Sequence, residues 1–125
     1  MRHFSMRHFF RYTAVGAFAT VVHYLVLIAW VEGLSGPAYL GSGIGAIVGA
    51  QVAYAGNRWF TFAHRGAITA SWPRFQLTAL LGALLGMGVV ALGVRLGVHY
   101  LLAQVVATGL SLLLTFAINR AWTFR

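Results

Sequence analysis

Residues 12–34, 38–55, 75–97 and 100–118 form four nearly unbroken apolar runs. Each has about the 20 residues that an α-helix needs to cross a bilayer core at 1.5 Å per residue. In hydrocarbon a single segment must satisfy its own N–H and C=O groups, so runs of this kind are helices. The expected fold is an all-α membrane protein of four transmembrane helices. Ser35-Gly36-Pro37 makes a tight break inside the first pair. The longest polar segment, 57–74, joins the two halves and contains Gly66 and Pro73. A cleaved signal peptide is the rival reading of the first run, but that run exceeds the 7–15 residues of a signal core.

Composition excludes most other classes. The chain has 125 residues, 60% hydrophobic and 8% charged, with a mean hydropathy of +0.80. A soluble domain carries about 25% charged residues, so one transmembrane domain over residues 1–125 is expected. The net charge of +8 comes from nine arginines, no lysine and one acid, Glu32. The arginines stand at the ends of apolar runs, which favours anionic lipid head groups over nucleic acid as partner. Cysteine is absent, which removes disulfides, thiolate catalysis and Cys-based metal sites.

The chain carries one short signature twice: Asn57-Arg58-Trp59-Phe60-Thr61-Phe62 and Asn119-Arg120-Ala121-Trp122-Thr123-Phe124. Each copy closes an apolar run. Arg11-Tyr12 opens the first half as Arg74-Phe75 opens the second. This spacing predicts two parallel-repeat helical hairpins, about 11–62 and 74–124, related by an axis along the membrane normal. Trp59, Phe62, Trp122 and Phe124 are the aromatic residues expected at the membrane–water interface. Guanidinium groups clamp phosphate bidentately, and Asn bonds phosphate oxygens or sugar hydroxyls. Arg11, Asn57, Arg58, Arg74, Asn119 and Arg120 are therefore the candidate phosphate and head-group residues. The bland alternative is that the arginines are topology anchors that snorkel toward anionic lipid.

Polar residues inside the runs are few. Gln104, Thr108, Ser111, Thr115 and Asn119 recur at spacings of three and four, on one helical face. Gln51, Tyr54 and Arg58 make a similar line, and Gly16, Thr20 and His23 share a face. His23, Gln51, Ser111 and Thr115 are expected to line a polar inward groove. His23 lies about 18 Å above Arg11 at 1.5 Å per residue, near the membrane middle. It could relay protons, or be a neutral imidazole bonded to a neighbouring helix. Glu32, at the far end of its run, reads as a solvated interfacial acid. Rows of small residues, Gly41-Gly45-Gly49, Gly82-Gly86 and Ala103-Ala107-Ser111, let helices approach closely. They serve either packing within the chain or self-association, and the thinness of a four-helix pathway makes a homo-oligomer the expected state.

Enzyme motifs are missing: there is no lysine for a P-loop and no second acid for a carboxylate pair. His3, His8, His23, His64 and His99 are too scattered for a metal site. No catalytic residue, metal or cofactor is expected. A small multidrug exporter is disfavoured, because the first run lacks a mid-membrane carboxylate.

Arg11-Tyr12-x-x-Val15-Gly16-x-x-x-Thr20 and the Asn-Arg-x-Trp/Phe-Thr-Phe ends resemble the GtrA-like family, over nearly the whole chain. Ala79 stands where a strict repeat would have Gly16, so the halves need not contribute equally. The resemblance implies a small four-span bacterial inner-membrane protein that moves a polyprenyl-phosphate-linked sugar for surface polysaccharide or glycolipid synthesis. The alternative is an adaptor that recruits or steadies a membrane glycosyltransferase.

Eight of the nine arginines lie at the termini or in the segment 57–74, and only Arg95 lies near the other face. By the positive-inside rule both termini and that segment are cytoplasmic. A reporter fused after Arg125 should be active in its cytoplasmic form only. Activity restricted to the periplasmic form would overturn this orientation.

Overall fold

A computed structural model of the chain describes residues 6–56, 58, 68–118 and 121, without the side chains of 6–9, 12 and 68–71. Its helices are α1 (Met6–Ile28), α2 (Ala38–Gly56), α3 (Ile68–Arg95) and α4 (Tyr100–Ile118). A wider π-helical turn, Ala29–Gly33, extends α1. All four helices contain stretches long and apolar enough to cross a membrane: Thr13–Gly33, Ala38–Gly56, Trp72–Arg95 and Tyr100–Ile118. The described residues contain no strand. The outward faces are greasy: Phe18 is 62% exposed and Leu113 70%. Side chains of this kind are stable there only in lipid. The chain is a multi-pass membrane protein.

The element boundaries differ from the apolar runs at two helix starts. The first helix begins at Met6 rather than at Tyr12. The third helix starts at Ile68, not at Phe75, and passes through Pro73. Proline removes one bond, to the carbonyl four residues back, and so near a helix start that loss is tolerated. Hydropathy could not mark this turn, because 68–74 is mixed in polarity while still helical.

The turns are short and sharply defined. Between α1 and α2, Ser35 takes a left-handed φ of 56°, and the Trp30 indole N–H donates to the Pro37 carbonyl at 3.0 Å. A Cβ on Gly36 would collide with that indole ring. Between α3 and α4, Gly97 sits at φ 89°, where a side chain would cost about 1–2 kcal/mol. The short turns make α1 antiparallel to α2 and α3 antiparallel to α4. The contacts of Gly43 with Met87 and of Gln51 with Gln76 make α2 and α3 antiparallel as well. The starts of α1 and α3 and the end of α2, with Arg11, Arg58 and Arg74, therefore share one end of the bundle, called here the open end. Glu32 and Arg95 lie at the other, the turn end.

Glycines decide which helices touch. A Cβ on Gly45 would lie 2.6 Å from both the backbone oxygen and Cδ2 of His23, and one on Gly49 2.9 Å from the Ala19 carbonyl. Gly41 meets Trp30 and Leu27, and Gly56 meets Val15, so this row seats α1. The adjacent Gly43 lies against the Met87 thioether of α3. On α3, Gly82 would meet Thr115 at 2.9 Å and Gly93 would meet Ala103 at 2.8 Å, which seats α4. Buried Val90, Ala103 and Ala107 form the α3–α4 core, and Leu27 is fully buried on α1. The rows singled out as a possible seam between copies are thus occupied inside the chain. They pack the helices of one chain against each other.

The order of packing is α1–α2–α3–α4: consecutive helices pack along their lengths, while α1 and α4 do not. Close approach at Gly45 leaves no room for even a methyl group. Gly45→Ala should lower stability in detergent by about 1–3 kcal/mol, since α1 must move off α2. Gly88→Ala and Gly109→Ala, where an added Cβ meets nothing within 4 Å, should be neutral or slightly stabilising. The check is thermal unfolding followed by circular dichroism. A tolerated Gly45→Ala would show that the seam is looser than its geometry.

Candidate functional site

Because α1 and α4 stand apart, a groove runs between them, floored by α2 and α3. Its volume is about 830 Å³. At the open end it begins at Thr13, Ala53, Phe75 and Thr115; it ends at mid-depth around His23, Ser42, Gly86 and Gln104. Ten residues of α1 separate Thr13 from His23, about 15 Å at 1.5 Å per residue. Exposed Gly16, Ala17 and Thr20 form its rim on α1, and exposed Leu112 its rim on α4. The floor is made of small buried residues, among them Ser42 and Thr78, 1% and 2% exposed. The missing side chains that let the helices approach also leave the hollow between them.

Hydroxyls line the groove, but most are satisfied locally. Thr20 donates to the Gly16 carbonyl at 2.8 Å and Thr78 to the Arg74 carbonyl at 2.9 Å, each one turn back. Ser111 instead crosses to α3 and donates to the Gly82 carbonyl at 3.0 Å. Thr115 reaches the Leu112 carbonyl at 3.4 Å. Two polar atoms at the mid-depth end differ from these. His23 Nε2 and Gln104 Oε1 are buried and have no hydrogen-bond partner. A buried polar atom left unsatisfied costs about 1–3 kcal/mol.

Polar ties close the groove at mid-depth. The Tyr24 hydroxyl, on α1, lies 2.7 Å from Thr108 Oγ1 and donates to the Gln104 carbonyl of α4 at 3.3 Å. Gln104 Nε2 in turn donates to Thr108 Oγ1 at 3.1 Å. The His23 and Tyr24 rings meet edge to face, with centroids 5.4 Å apart. Nearer the turn end, the Tyr100 hydroxyl donates to a Glu32 carboxylate oxygen at 2.9 Å and ties α4 to the π-helical turn after α1. Glu32 is exposed, as its position in the sequence suggests, yet it has this specific partner.

Of the expected groove residues, His23, Ser111 and Thr115 line the hollow together. Gln51 does not. Its amide pairs reciprocally with that of Gln76 on α3, at 2.7 and 3.1 Å, outside the groove. Two amides that satisfy each other tie α2 to α3 without an unpaired group. Thr108 and Gln104 were visible in the sequence only as members of a polar line; Tyr24 carried no such mark, because an isolated tyrosine in an apolar run reads as filler. Arg11 and Arg58 are half-buried and Arg74 is exposed, all at the open end. At that end Tyr54 packs on Phe75, with ring centroids 5.1 Å apart. Asn57, Trp59, Phe62, Asn119, Arg120, Trp122 and Phe124 lie outside the described residues.

A second, shallower hollow of about 350 Å³ lies on the outer side of α2 and α3, lined by aliphatic residues, glycine and Met87. Among the described residues no cluster of His, Asp or Glu could hold a metal ion.

Tyr24 is the group that spans from α1 to α4 at mid-depth. Tyr24→Phe should cost about 0.6 kcal/mol, the average for an interhelical hydrogen bond in a membrane. It should also widen the α1–α4 separation. Because the chain has no native cysteine, spin labels at Val21→Cys and Leu112→Cys can report that distance cleanly. Identical distance distributions with and without the hydroxyl would deny the tie any structural role.

The family model described as the GtrA/DPMS transmembrane domain matches residues 11–125. No curated protein and no solved structure matches the chain.

Proposed function

The chain belongs to the GtrA/DPMS transmembrane-domain family, and from that premise we propose that it carries a polyprenyl-phosphate-linked sugar across the bacterial cytoplasmic membrane. The observation that supports this most is the groove between α1 and α4. It opens at the arginine-bearing end, is rimmed by exposed residues on both outer helices, and stops at mid-depth on a polar clasp.

A sugar-phosphate head group has one phosphodiester charge and several hydroxyls, so unaided passage through hydrocarbon is very slow. In this reading Arg11, Arg58, Arg74 and Arg120 hold the phosphate at the cytoplasmic boundary, with Asn57 and Asn119 bonding its oxygens. The sugar enters the groove beside Thr20, Ser111 and Thr115, and the prenyl chain stays in lipid, passing out between the rims of α1 and α4. Passage to the far side requires the Tyr24 tie, and then the Tyr100–Glu32 tie, to open. No energy source is needed if a glycosyltransferase consumes the sugar-lipid on the far side, so net flow is downhill. Several copies can act side by side, but each chain has its own groove.

The second reading, an adaptor for a membrane glycosyltransferase, draws support from the apolar hollow on α2 and α3, a surface on which a partner helix could lie. Translocation in liposomes that hold only this protein separates the two, because an adaptor alone moves nothing.

Gly16 gives the sharpest probe of the groove. It stands on the rim, and a Cβ there meets nothing within 4 Å. Gly16→Leu should leave thermal stability unchanged and reduce sugar-lipid translocation at least about tenfold by filling the entry. Full activity in that variant would remove the groove from the path. Arg58→Lys and Arg120→Lys should each weaken transport about tenfold or more, since an ammonium cannot reproduce a bidentate fork. Asn57→Ala and Asn119→Ala should weaken it less. Full activity in both lysine variants would reduce these arginines to anchors.

A further inference from the structure

The inner end of the groove contains more polar capacity than its own packing uses. Gln104 is 2% exposed, lines the groove and has one amide end committed: Nε2 donates to Thr108 Oγ1 at 3.1 Å. The proton arrangement around it is self-consistent. Tyr24 donates to the Gln104 backbone carbonyl, and Thr108 donates to the Tyr24 hydroxyl, so Thr108 oxygen accepts from the Gln104 amide. This leaves Gln104 Oε1 without a partner, and His23 Nε2 beside the same hollow is also without one. Turning the amide over would only exchange ends: Nε2 would then be the group without a partner. An aliphatic residue of the same size would pack here with no such cost. The arrangement is therefore unexplained by folding alone.

We infer that Gln104, with His23, is a hydroxyl-reading subsite at the inner end of the groove, and that it selects a lipid phosphate bearing a sugar over one bearing none. The inference rests on the proposed lipid-sugar reading and adds the residues that recognise the sugar. Gln104 Oε1 accepts a proton from a sugar hydroxyl. His23 Nε2 offers a second unpartnered ring nitrogen beside the same hollow for a hydrogen bond with a neighbouring sugar hydroxyl. A hydroxyl both donates and accepts, so it suits these two atoms, whereas a prenyl chain does neither and an anion would face the acceptor oxygen of Gln104. The Tyr24–Thr108–Gln104 chain holds the amide in place before the ligand arrives, so little order is lost on binding. Arg11 lies about 18 Å from His23 along α1 at 1.5 Å per residue. The long arginine side chain, reaching inward to hold the phosphate, and the sugar span that gap together. The two ends of the groove thus read two different parts of one molecule.

The test compares binding of polyprenyl-phosphate hexoses (glucose, mannose and galactose) with bare polyprenyl phosphate, using the purified full chain in nanodiscs. The wild type should bind at least one hexose lipid about tenfold more tightly than the bare lipid, a difference of about 1.4 kcal/mol. Gln104→Met, close in size, should abolish that preference and leave the affinity for the bare lipid unchanged. The ligand side needs no altered protein: among monodeoxy versions of the preferred hexose, one should lose about the same tenfold on the wild type. Gln104→Met should be indifferent to that deletion, which a merely structural role would not produce. Preference retained in Gln104→Met, or equal binding of every monodeoxy lipid, overturns the subsite. Wild-type binding of bare and glycosylated lipids alike also overturns it, but leaves the lipid-phosphate reading standing. Binding of neither lipid overturns both.

Discussion

The close approach of α2 to its two neighbours governs the rest of the bundle. Lipid offers no hydrophobic drive between helices, so association depends on van der Waals contact over a short distance. Gly45 and Gly49 bring α2 onto the α1 backbone itself, and Gly43 admits Met87 from α3. Gly82 and Gly93 repeat the device between α3 and α4. Helices without Cβ atoms at the seam interlock along their length, and the connected row α1–α2–α3–α4 follows. No such seam joins its two outer members.

That asymmetry shapes the groove. The three consecutive pairs are sealed by small residues in direct contact, whereas α1 and α4 are joined by Tyr24 at mid-depth and by Tyr100 with Glu32 near the turn end. A glycine seam has a narrow optimum and resists separation throughout its length. A hydrogen bond between two helices in a membrane contributes only about 0.6 kcal/mol on average. Separation of the outer helices is accordingly the motion that costs least in this fold. It is also the one that would extend the groove toward the other side of the membrane. Transport of a lipid does not require a closed pore, since the tail never leaves hydrocarbon.

Charge is arranged along the same axis. Arg11, Arg58 and Arg74 stand where the groove opens, while the inner end offers neutral donors and acceptors. A fixed cation at mid-membrane would hold a phosphate in a deep well and slow its release. In the proposed reading, neutral groups would bind a hydroxylated head group weakly enough to let it pass. The fold thus places strong, charge-assisted contacts next to water and weak ones in the interior.

The sequence alone determined the number of spans, their ends to within a turn except at the helix starts Met6 and Ile68, and the segregation of arginine, because hydrophobic length and charge act locally. It also identified the family through motifs that persist whatever the neighbours are. It could list Gly41, Gly45 and Gly49 but not say whether they face a helix of the same chain or of another copy, since a row of small residues carries no mark of its partner. Gln51 and Ser111 were equivalent as polar residues in apolar helices. Only the tertiary structure separated them, pairing Gln51 with Gln76 and leaving Ser111 on the groove. Tyr24 and Gln104 acquired meaning in the same way. Their contact joins residues 80 apart in the chain, and no local pattern encodes which two distant side chains a helix packing will bring within 3 or 4 Å of one another.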